Sequence, residues 1–304
     1  MGFLTVVQQM GMIAVLVAIG FFVGKRGIVN SVSSKSISTL VVDICNPALM
    51  LTSVLGGQIT ADHAELITAG SVAIIFYAVL VLVGLILPIL LRVEKDNRRF
   101  YNMMCIYTNV GFIGIPVTHA ILPPDGMLCV LVCNVMYNLL FYVHGVAVLS
   151  GGKQKMQPSQ ILSPGTISAV LSILIVWFHV SLPEVVTETI GYVGNATVFL
   201  SMLLLGVSIA RSGILDGIKS IRLWMFILIR MVGLPALLAF VLKSLGLDPI
   251  ITAGMCLMAA MPVGNMPLIQ AEKMGEDTTV LSHAIAVTTA VSILTITLIM
   301  VVFV

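Results

Sequence analysis

Charge is scarce in this chain. Of its 304 residues only 9% are Asp, Glu, Lys or Arg, against about a quarter in a water-soluble domain, whose surface must be solvated. That shortage excludes a fully hydrated exterior. A formal net charge of +2 offers no strongly basic face, so no nucleic-acid partner is expected. Cysteine is sparse too. Cys45, Cys105, Cys129, Cys133 and Cys256 all fall inside apolar runs. Cys129 and Cys133 share a helix face, but no His or carboxylate completes a metal set. They read as small packing residues, and neither a metal nor another cofactor is expected. No Lys or Arg precedes the first apolar run, so a cleaved signal peptide is not expected. Val6 stands where a myristoylation site needs Ser or Thr. Deep inside the apolar runs Asp43 is the lone carboxylate. An intramembrane enzyme needs paired acids, or a nucleophile with its base, so no enzyme is expected.

What the chain has instead is apolar length: 59% of its residues are hydrophobic. A bilayer core takes about twenty apolar residues. Ten segments qualify, at 4–24, 36–56, 66–91, 100–121, 127–149, 161–180, 189–210, 223–244, 250–271 and 278–303. Residues 151–160, with Gly151, Gly152, Pro158 and Ser159, divide them into 1–150 and 161–304, five segments each. The basic residues sort to alternate connections: Lys25, Arg26 and Lys35; Arg92, Lys95, Arg98 and Arg99; Lys153 and Lys155; Arg211, Lys219 and Arg222; Lys273. The opposite connections hold Asp62, Glu65, Asp125, Glu184, Glu188 and Asp248, with Lys243 the one basic neighbour. By the positive-inside rule both termini lie outside a cytoplasmic (inner) membrane, with 151–160 a cytoplasmic linker.

Segment four reads Thr108-Asn109-Val110-Gly111-Phe112-Ile113-Gly114-Ile115-Pro116, and segment nine Ala259-Ala260-Met261-Pro262-Val263-Gly264-Asn265-Met266-Pro267. At a constant offset of 151, Pro116 meets Pro267, Gly114 meets Asn265 and His119 meets Gln270. An odd number of segments per half turns the second copy upside down, the mark of inverted repeats. The expected fold is an all-α integral membrane protein of ten transmembrane helices in two inverted five-helix repeats. Proline costs about 3 kcal/mol in a helix interior, and glycine loosens the backbone. Helices four and nine are therefore expected to be broken, with unwound centres that line a polar cavity. Pro116 and Pro267 suit the first turn of each second half. The amino termini of those halves would converge and favour an anion. The competing reading is two merely kinked helices.

The runs Asn46-Pro47-Ala48-Leu49, Gly111-Phe112-Ile113-Gly114-Ile115-Pro116 and Met261-Pro262-Val263-Gly264-Asn265-Met266-Pro267 resemble the auxin efflux carrier family. The short prokaryotic malonate-permease-like members are a better match than the plant PIN carriers with their long central loop. The resemblance implies a scaffold of segments one, two, six and seven, and a transport domain of three to five and eight to ten. It implies small carboxylate substrates, a crossover site between segments four and nine, elevator-like alternating access and a homodimer through the scaffold. PIN carriers typically place an asparagine beside each crossover. Asn265 matches the second; the first-half position holds Gly114, with Asn109 five residues earlier, so that ligand stays open between them.

Gly111, Gly114, Pro116, Gly264, Asn265 and Pro267 are thus the leading binding candidates, with Asn109, His119, Asn134, Asn138 and Gln270 behind them. Asn134, Asn138 and Tyr142 share one face of segment five, and Thr288, Ser292 and Thr295 one face of segment ten. Each stripe reads either as site or as helix–helix glue. Asp43 could carry a proton, bind an ion or act as a gate, with Asn46 beside it. Arg230 lies at a similar depth in segment eight and either pairs with Asp43 or, more simply, snorkels to the cytoplasmic interface. The function expected is a permease for small organic anions, coupled to proton or sodium. An anion channel or a solute-sensing receptor is the alternative.

Overall fold

The computed structural model describes residues 2–55, 63–151, 163–212 and 215–302. Asp62, Lys153 and Lys155, used above to orient the chain, lie outside these, as does all of the expected linker but Gly151. Among the described residues every regular element is helical apart from one isolated two-residue bridge. The main ones, in order, are α1 (Gly2–Lys25), α2 (Ser31–Leu55), α3 (His63–Leu90), α4 (Arg98–Ile106), α5 (Gly114–Ile121) and α6 (Met127–Leu149). Then come α7 (Pro164–Trp177), α8 (Glu184–Ser212), α9 (Ile221–Ser244), α10 (Pro249–Ala260), α11 (Met266–Met274) and α12 (Thr279–Val302).

Six of them, α2, α3, α6, α8, α9 and α12, are long and apolar enough to cross a bilayer. The protein is a multi-pass membrane protein. Its exterior agrees: Ile74, Ile75, Leu82, Leu85 and Ile86 on α3 each expose more than half of their surface, as lipid contact allows and water does not. Helix α7 is shorter than segment six suggested. Its 14 residues rise about 21 Å, where a bilayer core is about 30 Å thick.

Local chemistry sets many helix ends. Asn30 Oδ1 accepts from the N–H groups of Val32 and Ser33 at 3.0 Å and starts α2. Ser163 caps α7 with Pro164 behind it, and Asp248 caps α10 with Pro249. Such caps are worth about 1 kcal/mol each. Asp277 opens α12 by accepting from the Thr279 N–H and hydroxyl, which hold its carboxyl below the ordinary range. Gly275, at φ +76°, ends α11 in the left-handed region that glycine adopts without strain.

Packing places the middle of the molecule at the ends of two half-length helices. Met103 through Tyr107 and Met255 through Met261 expose no surface at all. Helices α1 and α8 pack along one another, with backbone against backbone. A Cβ on Gly20 would lie 2.3 Å from the Leu203 carbonyl oxygen, and one on Gly206 2.1 Å from that of Val17. Small residues permit such contact where lipid gives helices no hydrophobic reason to associate.

Three long helices widen for one turn into a π-helix: Val41–Cys45 in α2, Phe141–Gly145 in α6 and Leu228–Gly233 in α9. In α2, Pro47 has no N–H for the carbonyl of Asp43 four residues back. Pro235 fails Met231 in α9 in the same way. The helix accommodates each proline by loosening upstream. In α6 no proline follows. Asp43, His144 and Arg230 each stand in one of the widened turns.

Candidate functional site

The chain leaves helical geometry twice inside this buried centre. Helix α10 stops at Met261, whose ψ of 143° is extended, because the residue before a proline is driven out of the α region and Pro262 follows. Helix α4 stops at Tyr107, with φ −100° and ψ 80°. The two stretches cross and pair. The Asn109 N–H donates to the Pro262 carbonyl at 2.8 Å, and the Gly264 N–H to the Tyr107 carbonyl at 2.9 Å. Thr108 and Val263 thereby face each other as an antiparallel bridge. Each unwound strand supplies what the other has lost, which a backbone far from water requires. The Val263 N–H donates to the Thr288 hydroxyl at 3.2 Å, so that stripe residue supports the break. Ser292 and Thr295 donate to carbonyls of their own helix instead.

Gly264 is required by contact. A Cβ there would lie 2.8 Å from the Tyr107 oxygen and 2.9 Å from the Thr108 oxygen. After the bridge each chain re-enters a helix. Asn109 prepares the first, its Oδ1 accepting from the Ile113 N–H at 3.2 Å and its carbonyl from the Gly114 N–H at 2.9 Å. Pro116 is the third residue of α5 and Pro267 the second of α11, both in the first turn, where a missing donor costs nothing.

Around the bridge lies a cavity of about 20 Å³. Asn46, Asn109, Asn134, Asn138, Asn265 and Thr108 line it with Gly111 and Gly264, and no charged side chain does so among the described residues. A chain of amides reaches it from α2. Asn46 Nδ2 donates to Asn138 Oδ1 at 3.1 Å, Asn138 Nδ2 to the Asn134 carbonyl at 2.8 Å, and Asn134 Nδ2 to the Val110 carbonyl at 3.4 Å. Three polar atoms at the crossover are buried without a partner: Asn109 Nδ2, Asn265 Oδ1 and Thr108 Oγ1. Asn265 is otherwise held only by long contacts, 3.5 Å to the Ser201 carbonyl and 3.8 Å to Met202 Sδ. Such idle groups are costly in a protein interior. The volume suits one water, which needs about 10–15 Å³.

The structure thus gathers seven of the sequence candidates at one point: Asn46, Asn109, Gly111, Asn134, Asn138, Gly264 and Asn265. Between Asn109 and Gly114, the asparagine lines the cavity; Gly114 begins α5. Gln270 is buried one turn into α11, off the cavity, with Oε1 unpartnered. The side chains of Pro116 and His119 lie outside the described residues.

Two expectations need correcting. Asp43 does not meet Arg230, nor is it deeply buried. Its side chain is 36% exposed, and its two oxygens accept from Lys273 Nζ at 2.8 and 2.7 Å. Lys273 stands on the last turn of α11, and in the sequence it counts only as a connection charge. It stands two residues beyond the apolar run 250–271, whereas Asp43 lies seven residues into 36–56, so position along the sequence does not pair them. Arg230 does not snorkel. It is 1% exposed, because the widened turn of α9 points it inward, and it donates from Nε to the Cys105 carbonyl and from Nη1 to the Ala259 carbonyl, both at 2.7 Å.

Further polar ties join α2 and α8 to α11. Glu272 accepts from the Ser34 hydroxyl and lies 3.6 Å from Arg211. Arg211 and Glu272 border a cavity of about 740 Å³ that Lys35, Thr39, Glu276 and Asp277 also line.

The profile of a family described as "Membrane transport protein" matches residues 5–160 and 153–300. An uncharacterized transporter of Methanocaldococcus jannaschii is 22% identical over 303 residues, covering 94% of this chain and 95% of that one. Two broken helices crossing inside a multi-pass helical protein agree with what the profile finds along nearly the whole chain, and the protein belongs to the auxin efflux carrier family of membrane transporters.

Proposed function

We propose that the protein is a secondary transporter of small organic anions, carboxylates among them, and that the crossover is its binding centre. One observation carries the reading. The idle Asn109 amide donor and Thr108 hydroxyl share a cavity without acidic side chains among the described residues, at the amino ends of α5 and α11, where the positive ends of the helix dipoles favour an anion. Pro267 and Pro116 keep those ends open. A cavity of about 20 Å³ is smaller than any such substrate, so the site must open by movement.

The movement proposed is an elevator. Segments three to five and eight to ten, with the crossover, form the moving unit; α1, α2, α7 and α8 form the scaffold. The matched breaks support ten spans in two inverted repeats, 1–150 and 161–304. The Asp43–Lys273 and Glu272–Ser34 ties then act as a gate between the two units, and the cavity of about 740 Å³ is the vestibule behind it. The charge pattern supports a vestibule on the cytoplasmic side of the inner membrane and both termini outside. Proton or sodium would drive transport, and the scaffold would form a homodimer.

Counterflow tests the reading. Liposomes holding the purified chain and loaded with unlabelled malonate should accumulate labelled malonate transiently, and malonamide inside should not support this. Labelled malonate that only equilibrates, with no overshoot, would favour a channel. An overshoot driven equally by malonamide would sink the anion assignment.

A further inference from the structure

Arg230 is a full charge at the centre of a membrane protein, and no carboxylate among the described residues forms an ion pair with it. Its two hydrogen bonds show what balances it. Cys105 is the next-to-last residue of α4 and Ala259 the next-to-last of α10. Both helices end there with carbonyls that no further turn will satisfy. One planar guanidinium reaches both ends at 2.7 Å, a geometry a forked donor suits.

The four half-helix ends can be summed. The carboxyl ends of α4 and α10 carry roughly half a negative charge each, and the amino ends of α5 and α11 roughly half a positive charge each. Without Arg230 these sum to about zero. With it the negative pair is neutralised and the positive pair stands alone beside a cavity that holds no acidic side chain among the described residues. The crossover is then short of about one negative charge.

We infer that Arg230 is a positioning residue that makes the crossover selective for a single carboxylate group, acting through the backbone of the two half-helices and never touching the substrate. A second carboxylate on the same substrate has no matching charge at the crossover. A half-ester should therefore bind about as well as the diacid. The inference rests on the crossover being the substrate site.

The test uses the full chain in lipid nanodiscs, with malonate, monomethyl malonate and malonamide as probes, and affinities taken from concentration-dependent thermal shifts. The wild type should prefer both acids to the amide by about tenfold or more, as two converging helix ends allow. Arg230→Lys keeps the charge and should hold that ratio within about threefold. Arg230→Gln keeps hydrogen-bonding capacity without charge and should bring the ratio close to one. Merely loosened packing would weaken all three ligands together and leave the ratio unchanged. A folded Arg230→Gln protein with the wild-type ratio overturns the inference, as does a folded Arg230→Lys protein that has lost it. If Arg230→Gln does not fold, Arg230→Lys decides alone. A wild type that does not distinguish acid from amide defeats the crossover reading itself and this inference with it.

Discussion

Single side chains at the crossover divide into those that hold the fold and those held in reserve. Asn109 does both, since its Oδ1 caps the Ile113 N–H while its Nδ2 is idle. Asn265 makes only long contacts. Asn265→Ala should therefore weaken carboxylate binding by about 1–3 kcal/mol and leave the thermal transition of the empty protein nearly unmoved. Asn109→Ala should weaken binding similarly and also cost about 0.5–2 kcal/mol of stability through the lost cap. Thermal unfolding with and without malonate separates the two, and a wild-type malonate response in both variants would remove the amides from the site. The Asp43–Lys273 pair is partly exposed, so its coupling should be about 1 kcal/mol, roughly fivefold in a gating equilibrium. Asp43→Asn and Lys273→Gln should each change the uptake rate by that order, and the exchanged pair Asp43→Lys with Lys273→Asp should recover it. Single variants that transport like the wild type would make the pair a bystander. Composition and spacing announced Asp43 as exceptional but could not supply its partner. A hydrophobic run gives depth along a helix and says little about which neighbour each face meets.

At the scale of elements, proline and glycine made the breaks legible. Pro262 ends α10 through the residue before it, and Pro116 and Pro267 fall in the first turns of the helices that follow, as their chemistry demands. The pairing of the two unwound strands was not legible, since hydrogen bonds between residues far apart in sequence leave no local trace. The widened turns were hidden for a related reason. Pro47 and Pro235 explain two of them once seen, but proline in a membrane helix more often signals a kink. The bridge predicts a contrast between two glycines. Gly264→Ala forces a methyl group to within 2.8 Å of a carbonyl oxygen and should destabilise the protein by about 1–3 kcal/mol, the usual cost of overpacking, with loss of transport. Gly114→Ala meets its nearest atoms at 3.4 Å and should stay within about 0.5 kcal/mol of wild type. Melting curves of both in detergent decide it, and equal melting temperatures would mean that the strands can separate cheaply.

For the whole molecule, the alternation of charged connections predicts which ends of the helices face the cytoplasm. The five native cysteines are all buried, so they give a low background for labelling. Cysteine at Glu184 should react with a membrane-impermeant thiol reagent in intact cells, and cysteine at Lys95 or Lys219 should react only after the membrane is opened. The reverse pattern would invert the molecule and place the vestibule outside. Sequence can predict orientation because it depends on sums of charge, whereas the grouping of helices depends on faces. The Thr108–Val263 bridge bears on any such motion. It rivets α4 and α5 to α10 and α11 at the one place where all four meet, and Arg230 clamps the same joint from behind. A joint fastened on both sides cannot scissor. On the proposed elevator the two crossed helices would travel as a single rigid piece, and the substrate's way in and out would run along the seam against α2 and α8 rather than through the middle of the cross.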